Sequence, residues 1–424
     1  MTGGVLVLII LVSLLIVWKA QSLTYVATLS EEVDEFVQSV NLFSSERVPL
    51  SPIVRTEQRI TLPDGTETTI ELAEPFTLTV AAEGLGKIRF MTMSPDGRVF
   101  VPDIVDYNLS HEGKLYILSD FDEATGTFGS TSVYLDNLRG PNSVAFYTDI
   151  SGTTWLYLAL TEHLLRYTYE AGDVAPRGDP EVVTTFPNEQ APGEMSVVWH
   201  ITRTILFHND RLYVAIGSGC NSCEDPYNLE RGMIRVMDPD GSNASVYADG
   251  LRNAVGLEWA EGALYATANG VDHLGIDRPD ERMYRIEEGA HYRWPYCYEV
   301  DGDTYPVITS VWNDPLPCED APRSLASFEP RSAPLGVTYF NNAHPMLQGS
   351  FLVALHGSFD PSLRRGYEVV RVTPDGVQEV FMTSLQNDAH EAALRPVHFL
   401  KYDENSFFMT DDHYGRIYFV RADI

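Results

Sequence analysis

The chain is 424 residues long and sets 60 Asp and Glu against 29 Lys and Arg, a formal charge of −31. That balance excludes a binder of nucleic acid, because a polyanionic backbone would be repelled at long range. The length admits either two average domains or one repeated all-β domain.

From Met1 to Trp18 no side chain is charged, and Val5 to Val17 is almost entirely Leu, Ile and Val. As a helix this run covers about 27 Å, close to the hydrocarbon thickness of a bilayer. Residues 1–19 are therefore expected to form a hydrophobic helix serving as a signal anchor or signal peptide. No basic residue precedes the run and Lys19 follows it, so the orientation rule favours neither direction. No small-residue cleavage site follows either, and the reading is an uncleaved membrane anchor with the body extracytoplasmic, in a periplasm or at a cell surface.

Residues 20–73 read as a stalk or linker, with a short helical pattern from Ser30 to Val40 capped by Ser30. A hairpin is predicted over Arg59 to Leu72, where Pro63-Asp64-Gly65 separates two β-branched runs.

From residue 74 to 424 the pattern becomes short alternating apolar runs broken by Gly, Asn and Asp. Six units open on a similar phrase, near Ile88, Pro141, His200, Arg252, Pro334 and Arg395. Hairpins are predicted at Ile88 to Val101, Ile205 to Ile216, Gly256 to Thr267, Gly336 to Leu355 and Val397 to Thr410. Repeats of that length, each able to make a four-stranded sheet, predict an all-β fold, a six-bladed β-propeller. Phe76 to Ala81 would close the ring onto the last blade, which ends near Gly415 to Val420. Closure of that kind protects the edges an open sheet would expose.

The four cysteines fall as two local pairs, Cys220 with Cys223 and Cys297 with Cys318. An even count in an exported chain suits disulfides, and a zinc site using all four is the competing reading. The Cys220/Cys223 turn is expected to staple a loop away from any chemistry, and Trp294 to Tyr298 to be core packing. Asp238-Pro239-Asp240-Gly241-Ser242-Asn243 resembles a calcium loop but lacks the downstream acidic ligand, so a hairpin turn is expected there.

Several of these phrases occur together in one known family. His200-Ile201-Thr202-Arg203-Thr204, Gly217 to Pro226, Gly250-Leu251-Arg252-Asn253, Trp294 to Tyr298, Ala333 to Gly336 and Ala354 to Ser358 resemble the soluble quinoprotein sugar dehydrogenases. Within that family the similarity is greatest to the L-sorbosone dehydrogenase-like branch, and it spans roughly residues 74 to 422. The resemblance implies a six-bladed propeller holding pyrroloquinoline quinone, PQQ, over its axis with calcium beneath.

The site residues follow from the resemblance one by one. His200 stands where the family has its catalytic base, and imidazole can take a hydroxyl proton as hydride leaves carbon. Arg252 and Asn253 match the pair that contacts the quinone oxygens, where a guanidinium and an amide can stabilise developing negative charge. Arg395 matches a late arginine that binds cofactor carboxylate, and Arg364 aligns loosely with a cofactor-binding lysine. Calcium would be held by backbone carbonyls at Gly270 and Val271; Asp272 and Asp277 could add carboxylate ligands, but solvated loop acids are the first reading.

The resemblance also implies a small sugar or alcohol substrate and a quinone or cytochrome as electron acceptor. Two departures bear on the substrate. Glucose-oxidising members carry an acid where this chain has Trp199 and a glutamine where it has Val255, so a less polar alcohol, an aldehyde hydrate or a modified sugar is expected. A cofactor-free propeller binding a glycan or protein is the alternative, and a calcium-dependent propeller hydrolase lacks an evident ligand set.

Overall fold

The computed structural model describes residues 52–106, 110–187, 200–223, 230–308, 316–384 and 392–422. The apolar run at 1–19 and the helical pattern at 30–40 lie outside the described residues. Among the described residues no helix is long and apolar enough to cross a membrane.

The described chain is antiparallel sheet arranged as six four-stranded blades. Blade one is Thr92–Met93, Val99–Asp103, Gly113–Asp122 and Thr127–Leu138. Blade two is Ser143–Thr148, Thr154–Ala159, His163–Thr168 and Glu181–Thr185. Blade three is Arg203–His208, Arg211–Ile216, Met233–Met237 and Ser245–Ala248. Blade four is Ala254–Ala260, Ala263–Ala268, Glu281–Ile286 and Ala326–Phe328. Blade five begins Pro334–Phe340, Ser350–Leu355, Glu368–Val372 and Gln378–Thr383. Blade six is Pro396–Lys401, Ser406–Asp411 and Arg416–Ala422, completed by Phe76–Ala82.

First strands face first strands around the axis: Ala254–Ala260 packs against both Arg203–His208 and Pro334–Phe340, and Pro334–Phe340 against Pro396–Lys401. Neighbouring blades therefore cover the inner strands on both faces. The two-residue alternation of a half-buried strand gives way there to unbroken burial, as in Ala263–Ala268, Ser350–Leu355 and Ser406–Asp411. Outer strands keep an exposed face, as Thr127–Leu138 does. Between blades one and two, Phe100 meets Tyr134, Phe146 and Tyr169 edge-on at 5.2, 5.1 and 5.9 Å, the geometry that ring quadrupoles favour.

The closing strand is the one expected. Phe76–Ala82 runs antiparallel to Arg416–Ala422, with Phe76 opposite Ala422 and Leu78 opposite Val420. The hairpin before it differs from a linker. Arg55–Thr61 and Glu67–Ala73 pair around the Pro63-Asp64-Gly65 turn, and Glu71 and Leu72 then pair with Thr383 and Met382 on the outer edge of blade five. Ile60, Leu62, Ile70 and Leu72 are buried against Phe381 and Phe407, so this part of the expected stalk belongs to the propeller unit, which begins at Pro52. The driving force is burial of those four side chains.

Both cysteine pairs are disulfides, and no described cysteine is free, which rules out the four-cysteine zinc site. Cys297–Cys318 anchors a side hairpin, Cys297–Val300 with Asp303–Pro306. Asp238 to Asn243 is a tight turn closed by Gly241 N–H on the Asp238 carbonyl at 2.9 Å.

Candidate active site

First strands of successive blades run the same way, as the parallel bridge from Phe90 to Ser143 records. The residues that precede those strands therefore gather at one mouth of the central channel. Just inside that mouth Phe90, Val255, Leu335 and Val397 form a buried apolar layer. Val255 belongs to this layer, which floors the site with hydrocarbon.

His200 precedes the first strand of blade three in a left-handed conformation, φ 45°. Such a conformation is uncommon for a non-glycine residue, and the surroundings hold it: buried Arg203 donates to the His200 carbonyl at 2.8 Å. The imidazole Nδ1 lies 3.0 Å from the Ser218 carbonyl and 2.9 Å from Ser218 Oγ. Ser218 spends its own hydroxyl proton on the Cys220 carbonyl at 2.7 Å, so its oxygen faces Nδ1 as an acceptor. Two acceptors at Nδ1 fix the proton there and leave the lone pair on Nε2. Burial, with the Arg252, Arg231 and Arg203 guanidinium groups adding to it, holds this imidazole well below the ordinary 6.5, against the Ser218 bond. The ring is therefore neutral at neutral pH.

Arg252 and Asn253 stand at the head of blade four. Gly217, from blade three, lies so close under His200 and Asn253 that a Cβ there would collide with Asn253 Oδ1 and the His200 Cβ. Only glycine lets the three meet. Asn253 donates its amide to Asn269 Oδ1 at 3.0 Å, and Asn269 in turn donates to the Pro334 carbonyl at 2.9 Å, which carries the belt to blade five. Buried Arg252 donates through Nη2 to Asp272 Oδ2 at 3.0 Å, and Arg331 pairs with the same carboxylate. Burial lowers the Arg252 guanidinium below its ordinary value, with Asp272 and Glu281 opposing.

Beneath the turn that follows, Glu281 accepts from the Gly270 N–H at 2.7 Å and the Arg331 N–H at 3.2 Å. Burial pushes its carboxyl up to about 7. Val271 packs on Cys220 and Trp294 in a small apolar cluster. Trp294 is thus core, as expected. The Cys220–Cys223 turn differs from the expected remote staple, since it packs on the same cluster and shares Ser218 with His200.

Arg395 heads blade six. It donates to the carbonyls of His356 at 3.1 Å, Gly357 at 2.7 Å and Ser358 at 3.3 Å, and its guanidinium faces the Tyr367 ring at 5.5 Å. At the head of blade one, Arg89 pairs with Asp412 at 2.7 Å, and Asp412 also meets His356 Nε2 at 2.6 Å.

A family model matches residues 70–423, described as TrAA12-like. The chain belongs to the TrAA12-like family. Among solved structures, this TrAA12-like chain is similar to the iodide structure of the Trichoderma reesei family AA12 carbohydrate-active enzyme, with a TM-score of 0.69 and 17% identity over 89% of this chain and 100% of that one. The holo form of the PQQ domain of pyranose dehydrogenase from Coprinopsis cinerea gives 0.63 and 18% identity over 83% and 97%. These likenesses establish the six-bladed fold. A curated uncharacterised protein of Borreliella burgdorferi is 26% identical over 223 residues, 50% of this chain and 57% of that protein's length.

Of the residues singled out in the sequence, the structure brings His200, Arg252 and Asn253 together, and places Arg395 at another position of the same rim. Arg364 is different. It is exposed in a left-handed turn, φ 54°, at the end of the short helix Pro361–Leu363. Its neighbour Arg365 makes the contacts to blade four, reaching Asp277 and, at 3.1 Å, Glu329. Asp272 and Asp277, expected as solvated acids, are both paired with arginines.

The described residues hold no cluster of three His, Cys, Asp or Glu side chains able to bind a metal, so a cation at Gly270 and Val271 would need carbonyl ligands. Trp199 lies outside the described residues. The sequence marked neither Ser218 nor Arg331, and marked Asp272 as a loop acid without its pairing to Arg252. The Gly-Ser pair that ends the second strand of blade three was the one available signal, since a serine beside a glycine at a close approach has few other tasks.

Proposed function

We propose that this chain is a quinoprotein oxidoreductase that oxidises a sugar, aldehyde hydrate or alcohol and passes the electrons to a quinone or cytochrome. The observation that carries the reading is the pair of acceptors facing His200 Nδ1, which hold the ring proton there and leave a basic Nε2 at the rim where Arg252 and Asn253 stand. Family membership supports the same class of chemistry.

The donor set fits PQQ. Its three carboxylates call for fixed cations in a chain of net charge −31, and the rim supplies them at Arg252 and Arg395, with Asn253 as an amide donor. The contact at Gly217 that only glycine permits packs His200 and Asn253 side by side. When bound, PQQ would supply the acceptor for the substrate's hydride, which carries both electrons.

The chain's own residues do the rest. His200 Nε2 accepts the substrate hydroxyl proton, and the Ser218 carbonyl stabilises the imidazolium that results, since Nδ1–H already points at it. Arg252 and Asn253 counter negative charge that builds on the acceptor side. The apolar layer with Val255 excludes water from below and gives the substrate no polar contact there, which favours a substrate less polar than glucose. Calcium, held by carbonyls at Gly270 and Val271, is part of the proposal; a calcium structure is known for the Trichoderma reesei family AA12 enzyme.

Two disulfides suit an oxidising compartment, so we place the propeller outside the cytoplasm, anchored through residues 1–19. The test is dye reduction by the purified full-length protein, loaded with PQQ and calcium, against a panel of sugars, aldehydes and alcohols. Turnover that needs PQQ supports the reading; saturating cofactor with no turnover on any panel member moves it to a propeller that only binds its ligand.

A further inference from the structure

Four hydrogen bonds meet on one residue to which neither the resemblance nor the chemistry above assigns a role. Arg252 Nε donates to the Asn221 carbonyl at 3.0 Å and Nη2 to Asn221 Oδ1 at 2.9 Å, so one residue grips the guanidinium along its edge. The same Oδ1 accepts the Asp272 backbone N–H at 3.0 Å, and the same carbonyl accepts the Trp294 indole N–H at 3.3 Å. Asn221 lies inside the Cys220–Cys223 disulfide, and Cys220 is fully buried against Val271 and Trp294. The turn is therefore tied at both its covalent and its packed side.

We propose that Asn221 is the positioning residue of Arg252, and that the disulfide-closed turn exists to present it. A guanidinium has five donors and several rotamers, and an acidic chain offers it many wrong partners. Two neutral acceptors fixed on one edge set the plane of the group without cancelling its charge. Among the described residues, Asp272 is the charged partner on Nη2 that must yield to, or share with, an anionic ligand. Ser218 orients His200 from the same turn, so one short loop sets both the base and the cation.

The role assigned to Arg252 rests on the proposed function, and the test separates the two. In an Asn221→Ala protein the backbone carbonyl and the Asp272 bond remain but the Oδ1 acceptor is lost, which lowers the barrier to rotation about Nε–Cζ. By NMR, with the Arg252 signals identified by their absence from Arg252→Ala, the wild-type protein should show separate Nη1 and Nη2 resonances, and Asn221→Ala an averaged one. PQQ affinity should fall about tenfold in Asn221→Ala, the usual loss for a hydrogen bond to a charged group. Asn221→Asp, which keeps the acceptor, should restore the separate Nη resonances, but its added negative charge should leave PQQ affinity low.

In an Arg252→Ala background, Asn221→Ala should change affinity by less than about twofold, because its effect runs through the missing arginine. Unchanged Nη resonances in Asn221→Ala, or an undiminished affinity loss in the Arg252→Ala background, would overturn the proposal. If the resonances average as expected but the wild-type protein binds no PQQ, the positioning role stands and the cofactor assignment fails.

Discussion

Arg89 and Arg252 each stand at the head of an innermost strand, yet the chain has given them opposite counter-ions. Arg89 pairs with Asp412, and both side chains are 4% exposed; Arg252 is as deeply buried, but its partner Asp272 is 49% exposed. Asp412 is also locked by His356, whose imidazole burial pulls down to about 4 despite that carboxylate. The difference teaches which of two like arginines is free to serve a ligand. An ion pair sealed from water cannot exchange partners without exposing a bare charge, whereas a carboxylate half in solvent can give way at modest cost.

The largest contrast should appear on truncation. Arg89→Met leaves the Asp412 charge buried without its arginine and should cost about 3–5 kcal/mol of stability. Arg252→Ala should cost only about 1–2 kcal/mol while weakening PQQ binding on the order of a hundredfold. Thermal unfolding beside a cofactor titration reads both, and a reversed pattern would break the comparison. Next in size is His200→Ala, for which kcat should drop by about 10²–10⁴ with PQQ affinity held within a few-fold. Equal turnover in that variant removes the base from the mechanism.

The pH profile sharpens the same contrast. An ordinary histidine base would lose half its competence at 6.5 as pH falls, but His200 is held below that value by burial and by Arg252. Turnover should therefore stay level from pH 8 to 6.5 and decline only further into acid; an acid limb centred at 6.5 or higher contradicts the assigned environment. The smallest effect belongs to Arg364→Ala, which is exposed and should alter PQQ affinity by less than about twofold, measured in the same titration.

Much of this was legible in the sequence, and for identifiable reasons. Short apolar runs broken by Gly, Asn and Asp, each unit opening on a similar phrase, let six units be counted, and Phe76 to Ala81 could be matched to the last blade. Both disulfides lie between near neighbours in sequence. The site was legible only where a motif names a residue. Ser218, Asn221 and Asp272 act through contacts that cross from one loop to another, and nothing in local pattern marks an asparagine as the partner of an arginine 31 residues away. Arg89 and Asp412 are 323 residues apart, joined only because the ring closes. The hairpin at Arg55–Thr61 and Glu67–Ala73 read as a linker because its partner strand, Gln378–Thr383, comes near the end of the chain. Arg364 and Arg365 are adjacent and alike, and only the left-handed turn decides which one points to blade four.

The account turns on whether this rim holds the quinone, and an absorbance titration of the purified full-length protein with PQQ in the presence of calcium measures that directly. The account predicts saturation at one cofactor per chain with micromolar or tighter affinity, weakened about a hundredfold in Arg252→Ala. Absence of binding at micromolar PQQ to folded wild-type protein, or binding that Arg252→Ala leaves intact, would contradict it.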